Sequence, residues 1–248
     1  MVRAEMLKLR RSATWLIALI TPLIAVSTGT GNLANNTDAL DSGWASLTSQ
    51  VTLFYGLLFY SLGIGLLAAT AWRMEHRGSN MYLLLTTAPS PLRLVLAKIT
   101  VIAVPVTAMQ LILVLGTLIS GSLVLRLDGP PPWQFTVVGA LAVVAALPLI
   151  ALQSLLSMLM RSFAAPVAIC LAGCVVGIAS LTSEALRPLS LVLPQPLVTR
   201  VLNLGGTTLA DSGDLTVSHA LPLLGTTLGL GVLFTALTLV AIRAVKLR

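Results

Sequence analysis

Two histidines, two cysteines and three lysines are scattered through this 248-residue chain, and their spacing builds no active site. His76 and His219 stand far apart, and neither belongs to an H-E-x-x-H pair or to a Cys/His set that would hold zinc. None of Lys8, Lys98 and Lys246 follows a glycine, so the chain has no phosphate-binding loop for nucleotide hydrolysis. A serine protease pairing with His219 has no supporting motif, and His219 fits better as a hydrogen-bonding group at an interface. Cys170 and Cys174 lie four apart on one face of an apolar stretch, where a bridge would cross-link nothing; they read as packing residues. Metal and nucleotide cofactors are therefore not expected on this chain.

What surrounds these residues explains their scarcity. Six uncharged runs partition the sequence: Ser12–Thr37, Ser42–Trp72, Ile99–Leu125, Gly129–Met160, Ser162–Ser183 and Leu215–Ile242. Each holds the roughly 20 mostly apolar residues that carry a helix across a bilayer core. Hydrophobic residues make up 56% of the chain, charged residues 9%, and the mean hydropathy is +0.97. The fold class is an all-α polytopic membrane protein with six transmembrane helices and a single domain over 1–248. The first run follows basic residues as a signal peptide would, but its length, its Pro22 and the five runs after it favour a retained helix.

Charge sets the orientation. The N-terminus (Arg3, Lys8, Arg10, Arg11), the second loop (Arg73, Arg77, Arg93, Lys98), the short fourth loop (Arg161) and the C-terminus (Arg243, Lys246, Arg248) would share one side. Only Arg126, Arg187 and Arg200 fall on the other. Basic residues mark the cytoplasmic side, so both termini are expected inside. The net charge of +7 then reflects topology, and no basic module with stacking aromatics points to nucleic acid. Arginine outnumbers lysine twelve to three, which fits a high-GC bacterial source. Proton- or ion-coupled carriers keep an ionisable group at mid-depth. Here only Thr107, Gln110, Gln153 and Ser154 lie deep, so energy should come from another chain.

Three connecting segments have structure of their own. In residues 1–12, Val2, Met6 and Leu9 recur on one face with Arg3, Glu5, Lys8, Arg10 and Arg11 around it. This predicts an amphipathic helix on the inner leaflet, the alternative being a simple basic anchor. In the loop 72–98, Met81, Leu84 and Leu85 give a short helix with an apolar edge, and Pro89 and Pro91 break it. In the outer loop 184–215, the apolar stretch Pro188–Thr199 is too short to cross and suits a re-entrant or interfacial hairpin. Gly173/Gly177 and Gly225/Gly229 allow close helix contact, either within the chain or at a dimer seam.

Two stretches resemble a known family. The opening Arg3-Ala4-Glu5 through Lys8-Leu9-Arg10-Arg11-Ser12 is similar to an "E-x-x-K-x-x-R-S" start. The stretch Glu75…Gly78…Leu83-Leu84-Leu85-Thr86…Pro89-Ser90-Pro91…Arg93…Lys98 is similar to an "E…G…LL…P-S-R…K" segment after the second span, with Pro91 intervening between serine and basic residue. Both are found in permease subunits of type 2 (type V fold) ABC exporters, including bacterial drug and lantibiotic-immunity permeases. The resemblance implies a permease of the bacterial cytoplasmic (inner) membrane that serves antibiotic resistance or immunity. It implies a coupling helix in the second loop docking on a separate ABC ATPase subunit, which binds the ATP and Mg. Glu75, Arg77, Met81, Leu84, Leu85, Pro89 and Arg93 would form that coupling surface, with Arg161 a smaller second contact. A second permease copy or a sister permease and membrane lipids complete the expected partners. The substrate would be amphipathic: an antimicrobial peptide, a drug or a lipid-like molecule. The alternatives are a membrane-embedded scaffold or assembly protein and an intramembrane enzyme, neither needing an ATPase.

The orientation has a direct check. Reporters fused after Arg248 and within residues 35–41 should report opposite sides of the membrane; signals from the same side would contradict six spans.

Overall fold

The computed structural model describes residues 2–10, 12–36, 40–76, 90–206 and 215–246, and every regular element among them is a helix. Among the described residues, six helical spans are long and apolar enough to cross a membrane: span 1 Thr14–Asn35, span 2 Trp44–Arg73, span 3 Pro91–Val124, span 4 Trp133–Leu159, span 5 Ala164–Thr182 and span 6 Val217–Ala244. The helix α1, Val2–Arg10, precedes them. The expected loop helix at Met81, Leu84 and Leu85 lies outside the described residues, as do Arg11, Arg77 and Pro89.

Span 3 begins earlier than hydropathy alone predicts. Ser90 is extended, and its hydroxyl accepts the Arg93 N–H at 3.2 Å. Pro91 then takes the first helical position, where a missing N–H is harmless and its fixed φ helps. Pro91 thus starts a helix where a break was expected, and Arg93 lies in the first turn of span 3. Prolines inside spans 1, 3 and 6 (Pro22, Pro105, Pro222) each remove one backbone donor. Span 4 is interrupted at Ala146, just before Pro148.

Span 2 is the central element. Its midpoint makes a π-helical turn, Tyr55–Phe59. Tyr55 and Tyr60 stack there at 4.8 Å, both fully buried, and the Tyr60 hydroxyl donates to the Ala142 carbonyl of span 4 at 3.1 Å. The segment after span 5 folds back onto this turn. It makes a short helix, Leu189–Val192, and then a buried one, Pro194–Leu202. Thr199 donates to the Gly56 carbonyl at 2.6 Å. A Cβ at Gly56 would lie 3.2 Å from the Thr199 methyl, so glycine opens the seat for this helix. Gly173 and Gly177 do the same from span 5: a Cβ at Gly173 would clash with the Gln195 amide, and one at Gly177 would sit 3.1 Å from Pro196. This glycine pair therefore serves packing within the chain. Gly225 and Gly229 face open space.

Spans 1 and 2 pack tightly at Gly29, where a Cβ would meet the Val51 backbone at 2.8 Å; at Gly31, two residues on, nothing lies within 4 Å. Overpacking of this kind costs about 1–3 kcal/mol. Gly29→Ala should lower the melting temperature of the detergent-purified chain, and Gly31→Ala should leave it unchanged or raise it slightly. Equal melting of the two variants would contradict the crossing.

Candidate functional site

At one end of the bundle, four charged side chains from three segments meet, three of them buried and Lys8 at the rim. α1 supplies Glu5 and Lys8, one turn apart. Span 2 ends at Arg73, and a tight turn, with the N–H groups of Glu75 and His76 both on the Trp72 carbonyl, brings Glu75 back under the bundle. Lys98 comes from two turns inside span 3. Glu5, Glu75 and Lys98 are 4%, 2% and 1% exposed, which an unpaired charge could not sustain.

The geometry pairs every charge. The Lys98 ammonium lies 2.5 Å from Glu5 Oε2 and 2.7 Å from Glu75 Oε1, and it donates to the Ala71 carbonyl at 3.4 Å. An ammonium has three donors, and all three are used. The Trp72 ring lies 5.2 Å from it, adding a cation–π contact. Lys8 bonds Glu5 Oε1 at 2.8 Å and Glu75 Oε1 at 2.7 Å, at the cluster's exposed rim. Two glutamates and two lysines leave no net charge. Burial alone would raise the Glu5 carboxyl, but the Lys98 charge beside it and the hydrogen bonds from Lys8 and Lys98 hold it below its ordinary value. Burial would lower the Lys8 ammonium, and its bonds to Glu5 and Glu75 hold it above its ordinary value.

Further contacts fix the chain on the way to residue 77. His76 Nε2–H donates to the Ser157 carbonyl of span 4 at 2.8 Å. The Arg73 guanidinium lies 5.4 Å from the centre of the Phe163 ring, just before span 5. Trp72, Leu94, Val95, Leu155, Met158 and Ile242 form a small apolar core beneath, so spans 2, 3, 4 and 6 all reach this end. The segment 77–89 thus leaves from one anchored point and returns to another, the capped start of span 3.

The expected site residues divide accordingly. Glu5, Lys8 and Glu75 converge in the cluster. Arg93 is exposed on the first turn of span 3, and Arg161 is exposed in the connection between spans 4 and 5. Arg10 belongs to α1, with its side chain outside the description; Arg11, Arg77, Met81, Leu84, Leu85 and Pro89 lie outside the described residues. The sequence reading set Glu5 and Lys8 among the polar groups flanking α1's apolar face. In the fold they turn inward, alongside the buried Leu9, while Val2 and Leu7 stay exposed. Lys98, Trp72 and His76 were missed as site residues. One signal pointed to Lys98: the expected inner side carries only two acids, Glu5 and Glu75, and a lysine edging an apolar run needs one of them.

A family model described as "ABC-2 family transporter protein" matches residues 1–177, a stretch that holds all four cluster residues. No curated protein matches the chain.

Removing one partner from a buried ion pair costs about 3–5 kcal/mol, because the other charge is left unpaired. Lys98→Met should therefore strongly lower the melting temperature, and adding Glu75→Gln should recover part of the loss. The attachment of α1 should also depend on pH. The lowered Glu5 contributes above its ordinary 4.5 and loses its contribution as pH falls below that; the raised Lys8 contributes below 10.5 and loses it as pH rises beyond. A spin label at Leu7→Cys should be immobile between these limits and gain mobility under acid. Mobility that is flat down to pH 3 would contradict the pairing of Glu5.

Proposed function

The chain belongs to the ABC-2 family of transporter proteins, which makes it a multi-pass membrane permease component of an ABC transporter, and we propose that it serves an ATP-driven exporter whose motor is a separate ATPase subunit. Two permeases, copies or sisters, would face two ATPases in the bacterial cytoplasmic membrane, both termini inside. The cargo is an amphipathic molecule such as an antimicrobial peptide, a drug or a lipid-like compound. The spans support an apolar path, since the only charges within them lie near their ends: Arg73, Arg93, Lys98 and Arg243.

The observation that carries the reading is the ion cluster. It ties the entry to residues 77–89, through Glu75, to α1, through Glu5 and Lys8, and to span 3, through Lys98. We read 77–89 as the docking helix, with Met81, Leu84 and Leu85 as its apolar edge and Arg77 beside it. A push on that helix would reach span 2 at Glu75, span 4 through His76 and span 3 through Lys98 together. α1 would lie along the inner leaflet with Leu7 toward lipid, and Arg161 would add a smaller contact for the ATPase. At the far end the buried helix Pro194–Leu202 would dip into the membrane and close the outer mouth. ATP and Mg would bind the partner chain, since this sequence carries no phosphate loop.

An apolar interface anchor contributes on the order of 1–3 kcal/mol, and a buried unpaired charge is worse than its loss. Leu84→Asp with Leu85→Asp should release the ATPase from tagged permease during co-purification while membrane insertion persists. Undiminished recovery of the ATPase would reduce 77–89 to an ordinary loop.

A further inference from the structure

The opposite end of the bundle holds an open cleft of about 230 Å3, bordered by the first turns of span 2, the start of span 4 and residues 202–206. We propose that it binds the uncharged, hydrogen-bond-donating part of a small amphiphile. This goes beyond the transport reading and does not depend on an ATPase partner.

The chemistry of the wall argues for that ligand. Thr48, Ser49 and Thr52 line one side and are 7%, 3% and 4% exposed. Thr48 donates its proton to the Trp44 carbonyl and Thr52 to the Thr48 carbonyl, each at 2.8 Å. With those protons spent, both oxygens have only lone pairs to offer, so they suit a ligand that brings N–H or O–H groups. Phe135 and Val138 of span 4 supply the apolar wall facing them, and Gln134 adds an amide at its edge. Among the described residues, no Asp, Glu, Lys, Arg or His lines the cleft, so an ionised group would meet no counter-charge from them after losing its water.

The floor is glycine. Gly205 has φ +71, a left-handed conformation that glycine adopts freely. A Cβ at Gly206 would stand 3.1 Å from the Asn203 carbonyl and 3.4 Å from Ser49 Oγ, so any side chain there would narrow the cleft. The volume is below that of a drug-sized site, which matches one amide-bearing group and its apolar side chain. The cleft also communicates inward. Thr52 Oγ1 lies 3.4 Å from Asn203 Oδ1, the Asn203 amide donates to the Thr199 carbonyl at 2.8 Å, and Thr199 donates to Gly56 in the π-turn. A bound group would therefore bear on the buried helix Pro194–Leu202 and on the middle of span 2.

The probe is N-acetyl-leucinamide, neutral and rich in N–H donors; its charged analogue is N-acetyl-leucine. Saturation-transfer difference NMR on the full chain in lipid nanodiscs reads binding, with circular dichroism as the folding control. Transfer to the neutral probe should exceed transfer to the acid. Thr48→Val with Thr52→Val should weaken binding about fivefold or more, the worth of a hydrogen bond, and Val138→Trp should abolish it by filling the space. The valine pair keeps side-chain volume, so it serves if the tryptophan variant does not fold. Absent transfer in the native chain, equal transfer to both probes, or undiminished binding by the folded valine pair would each overturn the proposal.

Discussion

A lysine ammonium buried at the end of an apolar bundle must find its counter-charges inside the protein, and much of this structure's inner end follows from where Lys98 finds them. Its three donors require acceptors from three directions: Glu5, Glu75 and the Ala71 carbonyl. Meeting that demand draws α1 against the bundle and folds the exit of span 2 back beneath it. Lys8 then balances the second carboxylate. Buried ion clusters are poor sources of net stability, because desolvation offsets most of the attraction. They are demanding about geometry, however, since any displacement of one member leaves another unpaired. A cluster that spans an N-terminal helix, a loop entry and a membrane helix is suited to moving those three as one body.

The other end is held by different means. Glycines at 56 and 177 let the helix Pro194–Leu202 approach spans 2 and 5 at backbone distance, Gly173 leaves room for the Gln195 side chain, and Thr199 takes up a carbonyl of the π-turn. π-turns concentrate at functional positions. This one lies midway along span 2, whose lower end carries Glu75. The same span thus joins the turn that carries Glu75 to the glycine-seated helix.

Spans were legible in the sequence because bilayer thickness imposes a length of uncharged chain that few other folds need, and all six uncharged runs became helices. Boundaries were less legible where charge and helix coexist. Arg93 and Lys98 look like loop residues by hydropathy, yet Ser90 and Pro91 provide a cap and first position strong enough to start span 3 before them. The cluster's members were visible one by one in the motifs around Glu5, Lys8, Glu75 and Lys98. Their meeting was not, because contact between residues 67 positions apart depends on how α1 turns under the bundle, and periodicity alone set its polar groups outside. The deep glutamines and serines were recognised as polar and uncharged. The Thr48–Thr52 cleft was not, since threonines in an apolar run look like packing until a second wall faces them.

The central claim is that the cluster acts as one mechanical unit, and a double-mutant cycle across it measures this most directly. Glu5→Gln, Lys98→Met and the pair would be compared by the ATP turnover of the reconstituted complex relative to its ATPase alone. Residues that act through one network give non-additive effects. The account predicts that each single substitution impairs permease-dependent turnover and that the double variant is no worse than the more damaged single. Independent, multiplicative losses, or turnover untouched by either substitution, would contradict it.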